Sequence, residues 1–255
     1  MNILEFLNSN GIIVGEENFP KENRKNNILD VDNQISLIIE VHKILEGKKN
    51  NIIPRIESSI GRDLESFIVQ NKRTSKVIKF FEEKTEKSDF DFFIIEEGKK
   101  ILKKANKALS ILNEDEYLKI IMRSMNKYEV CLGRVDEGSL KKKGLEINIR
   151  TIRYISYNMI EHDCYSYIKR IKKRDFSGNI LEVIRDFVYK SNLNKESIDY
   201  IRMLANFPIE SVKTLLKIKE NRLKFSDEEW VREINISQKI DGIELLWVEE
   251  KNEQI

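Results

Sequence analysis

The 255-residue chain is poor in the residues on which several fold and site classes depend. Its 3 prolines and 10 glycines are too few for an all-β fold built on many tight turns. The two cysteines, Cys131 and Cys164, cannot form a disulfide framework, and with His42 and His162 they lack the paired spacing of a zinc site. No apolar run reaches the roughly 18 residues of a transmembrane helix, and the start lacks the pattern of a signal peptide. We therefore expect a mostly helical, intracellular protein.

Motifs of the common catalytic sites are missing as well. The sequence has no phosphate-binding loop of the GxxxxGK[ST] or GxGxxG type, no GxSxG motif and no HExxH motif. His162 and Cys164 lie two positions apart on a predicted helix and point to different faces, so they fit a Cys–His nucleophile pair poorly. His42 and Cys131 are predicted to be packed core residues. We therefore expect no metal site and no cofactor.

The net charge of +2 conceals an uneven distribution of charged residues. Residues 139–174 carry ten Lys or Arg and three acidic residues, whereas residues 226–255 carry nine acidic residues and three basic ones. Three interpretations stay open: the acidic tail docks near the basic segment, the basic segment binds an anionic partner, or both are solvated helix faces. No known nucleic-acid motif accompanies the basic segment, which disfavours nucleic acid as the partner.

Apolar residues recur at helical spacing through most of the chain. A helix from Asp32 to Glu46 is apolar on two sides and is predicted to be buried. A helix at 97–112 carries one apolar stripe, whose members are Ile101, Leu102, Ala105, Ala108, Leu109 and Leu112. Helix starts are predicted at Asn113 and Ser226, each followed three residues later by a Glu that completes a capping box. Further helices are predicted at 1–9, 62–84, 160–173, 179–190, 195–206 and 209–220.

Short segments with the alternation of strands interrupt the helices at three places, 128–132, 145–149 and about 152–156. We expect Tyr128–Leu132 and Leu145–Ile149 to pair as an antiparallel β-hairpin, with Asp136 in the polar loop between them. The segment IELLWV at 243–248 is predicted to be a terminal strand or a docking segment.

The order of these elements is that of the larger lobe of kinase-like folds: a long helix, a strand, a polar loop with an Asp, two strands and a helix. KSDFDFFIIEEGKKILKKANKALSIL at 87–112 resembles an FD-x-L-FL segment and its long helix. VCLGRVDEGSL at 130–140 lies where an H-x-D-x-x-x-x-N catalytic loop belongs, and 151–173 resembles the segment with a metal-binding Asp and a basic helix. The chain thus resembles the aminoglycoside-phosphotransferase-like kinases and, within them, the CotS-type spore coat proteins of spore-forming Firmicutes.

The resemblance implies a degenerate site. Residue by residue, Arg134 stands at the position of the catalytic-loop His, and Asp136 at that of the catalytic Asp. Lys141 stands at the metal-binding Asn, and Thr151 at or near the metal-binding Asp. An ammonium group repels Mg²⁺, and a neutral hydroxyl is a poor substitute for a carboxylate. Asp136 is then either a vestigial catalytic residue or a loop carboxylate that accepts backbone N–H bonds.

A second register of the same loop stays open. It aligns CLGR at 131–134 with a C-H-G-D sequence, which puts Arg134 at the catalytic Asp. Ser139 then stands at the metal-binding Asn, and Ser156 at the metal-binding Asp. Two metal contacts are lost together in either register. Asp163, in the helix that follows, is expected to be structural.

The lobe that covers the nucleotide in this family is expected to be reduced or absent. Residues 34–47 resemble the helix that follows that lobe, and only about 30 residues precede them, with no alternating strands and no Gly-rich loop. We expect 1–30 to be a short N-terminal segment or linker, with a polar loop at 16–28, and 31–255 to form a kinase-like C-terminal lobe.

These observations predict an α+β, mostly α fold: a kinase-like C-terminal lobe with a small β-hairpin. The resemblance implies a non-catalytic scaffold or binding module of the spore coat or of sporulation, with protein partners. Its location would be the cytoplasm of the producing cell, with deposition in the spore coat if the family role applies. Two alternatives stay open: an active small-molecule phosphotransferase that uses Asp136 as base, and polyanion or nucleic-acid binding through 139–174.

Overall fold

The computed structural model describes residues 2–19, 30–46, 55–174, 176–220 and 224–242. Helices dominate these residues, with a few short strands between α5 and α6 and one near the amino terminus. The helices are α1 (Ile3–Ser9), α2 (Val31–Leu45), α3 (Arg62–Glu82), α4 (Asp89–Leu109), α5 (Glu114–Lys127), α6 (Glu161–Lys172), α7 (Ile180–Lys190), α8 (Lys195–Asn206), α9 (Ile209–Glu220) and α10 (Asp227–Asp241). The strands are β1 (Ile12–Val14), β2 (Val130–Cys131), β3 (Leu140–Lys143), β4 (Glu146–Ile149) and β5 (Ser156–Tyr157).

The chain divides into two compact units. The first unit comprises residues 1–61 and 113–201, and the second comprises 62–112 and 202–255. The expected boundary near residue 30 stays a prediction. The segment predicted at 243–248 lies outside the described residues. Among the helices of the described ranges, none is long and apolar enough to cross a membrane.

The strands of the first unit pair differently from the predicted hairpin. β4 pairs antiparallel with β3 and parallel with β1, which gives a three-stranded sheet in the order β1-β4-β3. β2 pairs antiparallel with β5 instead. The expected hairpin of Tyr128–Leu132 with Leu145–Ile149 is therefore wrong, although both segments contain a strand.

The physical reason for this error lies in β3. β3 is an edge strand with the sequence LKKK, and its Lys142 and Lys143 face solvent. Such a strand lacks the apolar alternation by which a half-buried strand is recognised in a sequence. Gly144 has a φ of 63°, which suits glycine in the tight turn that brings Lys143 opposite Glu146. The strand at Ile12–Val14 was also not predicted, because three residues are too few to show an alternation.

The helices of the first unit follow the sequence pattern closely. α2 is buried on two sides, as predicted, through Ile35, Leu37, Ile38 and Val41. The Asn113 side chain accepts a hydrogen bond from the Glu116 N–H and so caps α5. α5 ends at Tyr128, which has a left-handed φ of 51°. The predicted ends of α6 and α7 lie within one residue of those observed.

The second unit contains α3, α4, α9 and α10. The stripe predicted on α4 is confirmed in part: Ile101, Ala105 and Ala108 are buried, whereas Leu102 and Leu109 are half-buried. α4 begins earlier than the predicted residue 97, after Ser88, which forms a capping box with Asp91. The predicted start rested on the apolar stripe alone. The capping box of Ser226 with Glu229 at the start of α10 is confirmed.

The far end of α10 in turn caps α9. The Asp241 carboxylate accepts hydrogen bonds from the Glu210 N–H (3.0 Å) and the Ser211 N–H (2.8 Å), at the beginning of α9. A carboxylate stabilises the start of a helix because the first N–H groups there have no partner within the helix. This contact fixes the helical hairpin of the second unit at its open end.

Candidate functional site

The loop between β2 and β3 carries Arg134, Asp136 and Ser139, and Asp163 on α6 holds its beginning. The fully buried Asp163 carboxylate accepts hydrogen bonds from the Leu132 N–H (2.8 Å) and the Gly133 N–H (2.7 Å). The same carboxylate lies 2.9 Å from Nε2 of His42 on α2. Gly133 has a φ of 71°, and a Cβ there would lie 2.7 Å from the Tyr154 carbonyl oxygen, so only glycine fits this turn.

The same face of α6 holds the rest of the loop. Ser166 donates a hydrogen bond to the Gly133 carbonyl (2.9 Å), and the Tyr167 hydroxyl donates one to Glu137 (2.9 Å). Burial and the neighbouring Glu137 raise the pKa of Tyr167, which keeps the hydroxyl protonated as a donor. Arg174, two turns further along, pairs with Glu137 at 2.6 Å. The spacings of three and four residues place Asp163, Ser166 and Tyr167 on one side of the helix, and Arg174 lies in the turn that follows it.

Both carboxylate oxygens of Asp136 are engaged by donors of the protein. Oδ2 accepts a hydrogen bond from Nε of Arg170 at 3.0 Å, and Oδ1 accepts one from the Gly138 N–H at 3.0 Å. The Asp136 carbonyl accepts the N–H groups of Ser139 (2.7 Å) and Leu140 (2.9 Å), which closes a tight turn. Asp136 therefore has the geometry of a loop carboxylate bound to backbone and to an arginine.

The loop, the end of β4 and α6 enclose a cleft of about 570 Å³ within the first unit. Its lining is dominated by arginines from three segments of the chain. The lining residues are Glu16, Arg134, Asp136, Gly138, Ser139, Arg150, Thr151, Arg153, Tyr154, Arg170 and Arg174. Five guanidinium groups thus face two carboxylates, and we call this feature the arginine cleft.

The five arginines fall into two groups. Arg170 and Arg174 pair with Asp136 and Glu137 respectively. In the described part of the chain, Arg134, Arg150 and Arg153 form no ion pair with a carboxylate; these three are the unpaired arginines of the cleft. The guanidinium of Arg134 lies 4.2 Å from the centre of the Tyr154 ring, and that of Arg153 lies 5.7 Å from it. Nη1 of Arg150 lies 3.4 Å from the Gly138 carbonyl oxygen.

The structure brings some of the predicted site residues together and leaves others apart. Arg134, Asp136, Ser139 and Thr151 all line the arginine cleft. Lys141 lies on β3, where its ammonium is 5.7 Å from the Phe19 ring, and it does not line the cleft. Ser156 lies on β5 and bonds to the Ser59 hydroxyl at 2.6 Å.

Sequence reasoning missed the individual arginines on the far side of the cleft. Arg150, Arg153, Arg170 and Arg174 were noticed only as part of the charge excess of 139–174. That excess was the available signal, but it does not show which side chains converge. Glu16 and Tyr154 carried no signal in the sequence.

The arginine cleft does not suit the magnesium ion that the family resemblance implies. Mg²⁺ binds oxygen ligands, mainly carboxylates and phosphates. The cleft offers two carboxylates, Glu16 and Asp136, and the oxygens of Asp136 are already bound to Arg170 and Gly138. Five guanidinium groups around them repel a divalent cation. The residues of the arginine cleft therefore do not fit a bound Mg²⁺ ion.

A second group of potential metal ligands is mostly engaged in hydrogen bonds, although Nδ1 of His42 is buried without a partner among the described residues. The ligand atoms of His42, Cys131 and Asp163 lie within 4.8 Å of one another and are buried. Asp163 accepts the two N–H groups of the loop, and the Cys131 thiol donates to the Met159 carbonyl (3.1 Å). Burial raises the pKa of the Cys164 thiol as well, which keeps it uncharged and unreactive.

A buried ion-pair network supports the entry to the loop from the other side. The Arg123 guanidinium on α5 donates to Glu129 (2.9 Å), just before β2, and to Glu161 (2.7 Å), at the start of α6. Ser197 donates a further hydrogen bond to Glu161 at 2.6 Å. A bidentate Arg between two carboxylates has the geometry in which buried ion pairs are strongest. The network fixes the start of α6, and therefore the position of Asp163, relative to β2.

Comparisons with known proteins identify the fold. The structure is similar to the crystal structure of an aminoglycoside phosphotransferase from Alicyclobacillus acidocaldarius subsp. acidocaldarius, with a TM-score of 0.66 and 10% sequence identity. The similarity covers 87% of this chain and 65% of that one, so the chain spans about two thirds of the length of that protein. No protein-family model and no curated protein matches the sequence.

The chain has a kinase-like fold. This confirms the predicted fold class, α+β and mostly helical with a small sheet. At 10% identity the similarity concerns the fold alone. The narrower resemblance to spore coat proteins stays a prediction.

The role of Asp163 can be tested by the change Asp163→Asn. The Asp163 carboxylate has two oxygens, which receive three donors. The amide of the variant has only one oxygen, and its NH₂ group would face N–H donors of the loop. We expect a loss on the order of 3 kcal/mol in the free energy of unfolding, because charged acceptors of buried hydrogen bonds are lost. Urea denaturation measures this loss.

The matched control is Asp186→Asn, which alters an exposed carboxylate paired with Lys190 four residues away. That change is expected to cost less than about 0.5 kcal/mol, the usual range at the surface. Equal losses for the two variants would contradict the structural role of Asp163.

Proposed function

We propose that this chain is a non-catalytic kinase-like protein that acts as a binding module. One observation carries the proposal: the candidate base, Asp136, is bound to Arg170 and to the backbone inside a cleft lined by arginines. Phosphoryl transfer depends on positioning and on metal ions that bridge the phosphates. A cleft with five guanidinium groups and two carboxylates, one of them already bound to Arg170 and Gly138, fits those ions poorly.

The biological setting that we propose is the spore coat or the process of sporulation, with protein partners. This part rests on the sequence resemblance of 87–112, 130–140 and 151–173 to CotS-type proteins. We expect the protein in the coat fraction of purified spores when it is expressed in a spore-forming host. Its absence from that fraction, with the protein present in the mother cell, would remove the coat from the proposal and leave the binding module.

The alternative function is a phosphotransferase that uses Asp136 as base, and a transfer assay separates the two. The full chain is incubated with radiolabelled ATP and Mg²⁺, with and without an aminoglycoside, the substrate class in the name of the similar structure. We expect neither labelled product nor phosphate release above the level of the Asp136→Asn variant. The reason is that Asp136 already binds Arg170 and lies in a cleft with five guanidinium groups, which repel a metal ion.

Glu137→Gln serves as the control variant in this assay. Glu137 is the neighbouring carboxylate and pairs with Arg174, so its loss perturbs the loop to a similar degree without touching the candidate base. Phosphoryl transfer that needs Mg²⁺, survives in Glu137→Gln and disappears in Asp136→Asn would overturn the non-catalytic proposal.

A further inference from the structure

We propose that the arginine cleft binds a small molecule with two or more phosphate groups, and that it does so without a metal ion. The inference deepens the proposed function, on which it rests, by naming the ligand class of the binding module. The cleft has the arginines of a phosphate site, whereas a nucleotide site of the kinase type depends on carboxylates that hold Mg²⁺.

The first argument is the uncompensated charge of the cleft. Asp136 and Glu137 neutralise Arg170 and Arg174, but the three unpaired arginines have no carboxylate partner in the described ranges. Glu16 is the remaining acidic residue of the lining. Three guanidinium groups that converge on one cavity repel each other, and an anion between them relieves that repulsion.

The second argument is the geometry of the guanidinium groups. A guanidinium presents a planar fork of N–H donors that matches two phosphate oxygens at once. The Arg134 guanidinium lies 4.2 Å from the centre of the Tyr154 ring, a cation–π contact that restrains it. The Arg150 N–H donates to the Ser139 carbonyl at 2.9 Å, which anchors the backbone of Arg150 beside the loop. Nη1 of Arg150 also lies 3.4 Å from the Gly138 carbonyl oxygen, so the forks of Arg134 and Arg150 are both restrained before a ligand binds, which lowers the entropic cost of binding.

The third argument concerns the size of the ligand. A cavity of about 570 Å³ has the volume of a small-molecule site. Several cations of the basic segment are already paired with carboxylates. Lys142 pairs with Glu40 at 2.6 Å, and Arg170 and Arg174 are paired within the cleft. A nucleic-acid strand needs a row of free cations along its backbone. A compact phosphate-bearing molecule therefore fits better.

The carboxylate of Glu16 provides a separate test of the proposed anion site. Glu16 lines the cleft among the arginines, and its negative charge opposes an anionic ligand. Removing that charge in Glu16→Gln is expected to tighten binding by roughly two- to fivefold, the effect of one partly screened charge. A gain of affinity cannot result from misfolding, so this variant keeps the test informative if an arginine variant is unstable.

The experiment is calorimetric titration of the full chain with pyrophosphate and, separately, with ATP, both in EDTA. We expect both probes to bind, and Arg134→Ala and Arg150→Ala each to weaken binding about tenfold or more, because each removes charged hydrogen bonds to phosphate. Lys143→Ala, an exposed lysine on β3 outside the cleft, is the matched control and is expected to leave the affinity unchanged. Added Mg²⁺ is expected to weaken binding, because it neutralises phosphate charge that the arginines recognise.

The outcomes separate this inference from the proposed function. If neither probe binds in EDTA and neither binds with Mg²⁺, the phosphate inference is wrong, whereas the non-catalytic proposal stands on the transfer assay. If binding requires Mg²⁺ and is lost in Asp136→Asn, the inference is wrong, and transfer in the assay above would then overturn the proposed function too. If an oligonucleotide binds more tightly than pyrophosphate and Lys143→Ala weakens it as much as Arg134→Ala, a nucleic-acid surface replaces the proposed small-molecule site.

Discussion

The carboxylate of Asp163 is the constraint on which the rest of the first unit depends. Its two oxygens receive the N–H groups of Leu132 and Gly133 and the ring of His42, so one buried group ties the end of β2 to α2 and α6. Leaving any of these donors unpaired in the interior would cost more than the hydrogen bond itself contributes. The loop therefore begins at a fixed point, and α6 determines where it goes next.

The cleft follows from that fixed loop. Ser166, Tyr167 and Arg170 continue along the face of α6 that begins at Asp163, Arg174 follows in the turn after the helix, and each contacts the loop. The arginines of this face reach the loop carboxylates, whereas the three unpaired arginines come from the loop itself and from the end of β4. A kinase-like fold thus presents a cavity whose charge is opposite to that of a metal-binding one. This positive charge of the cavity, rather than the loss of any single residue, supports the proposal of a non-catalytic binding module.

Local signals in the sequence were sufficient for most helices. The ends of α6, α7, α8 and α9 were predicted to within one residue, because the apolar periodicity changes at the ends themselves and, at α7, Asn179 supplies a side-chain cap. The pairing of strands was not predicted, because β3 reads as a polar loop and β1 has three residues. Strand pairing depends on contacts between distant segments, for which one sequence gives little indication.

The candidate site likewise combines residues that a local motif identifies with residues that only the fold brings together. Asp136 and Arg134 could be singled out, because the resemblance to a family motif is local. Arg150, Arg153 and Arg170 could be recognised only as a charge excess. The turn after β4 and the packing of α6 bring these side chains to one cleft, and neither is visible in the sequence. Lys141 was assigned to the site by counting residues along the loop. The turn at Asp136 and the start of β3 carry it away from the cleft instead.

The most direct test of the account is a crystal structure of the full chain grown without metal ions and soaked with pyrophosphate. The account predicts phosphate oxygens within hydrogen-bond distance, roughly 2.7–3.2 Å, of the guanidinium groups of Arg134 and Arg150, with Arg170 still bound to Asp136. Pyrophosphate that binds only after Mg²⁺ is added, through a metal ion held by Asp136, would contradict it. An arginine cleft that stays empty while the anion occupies other surface cations would contradict it equally.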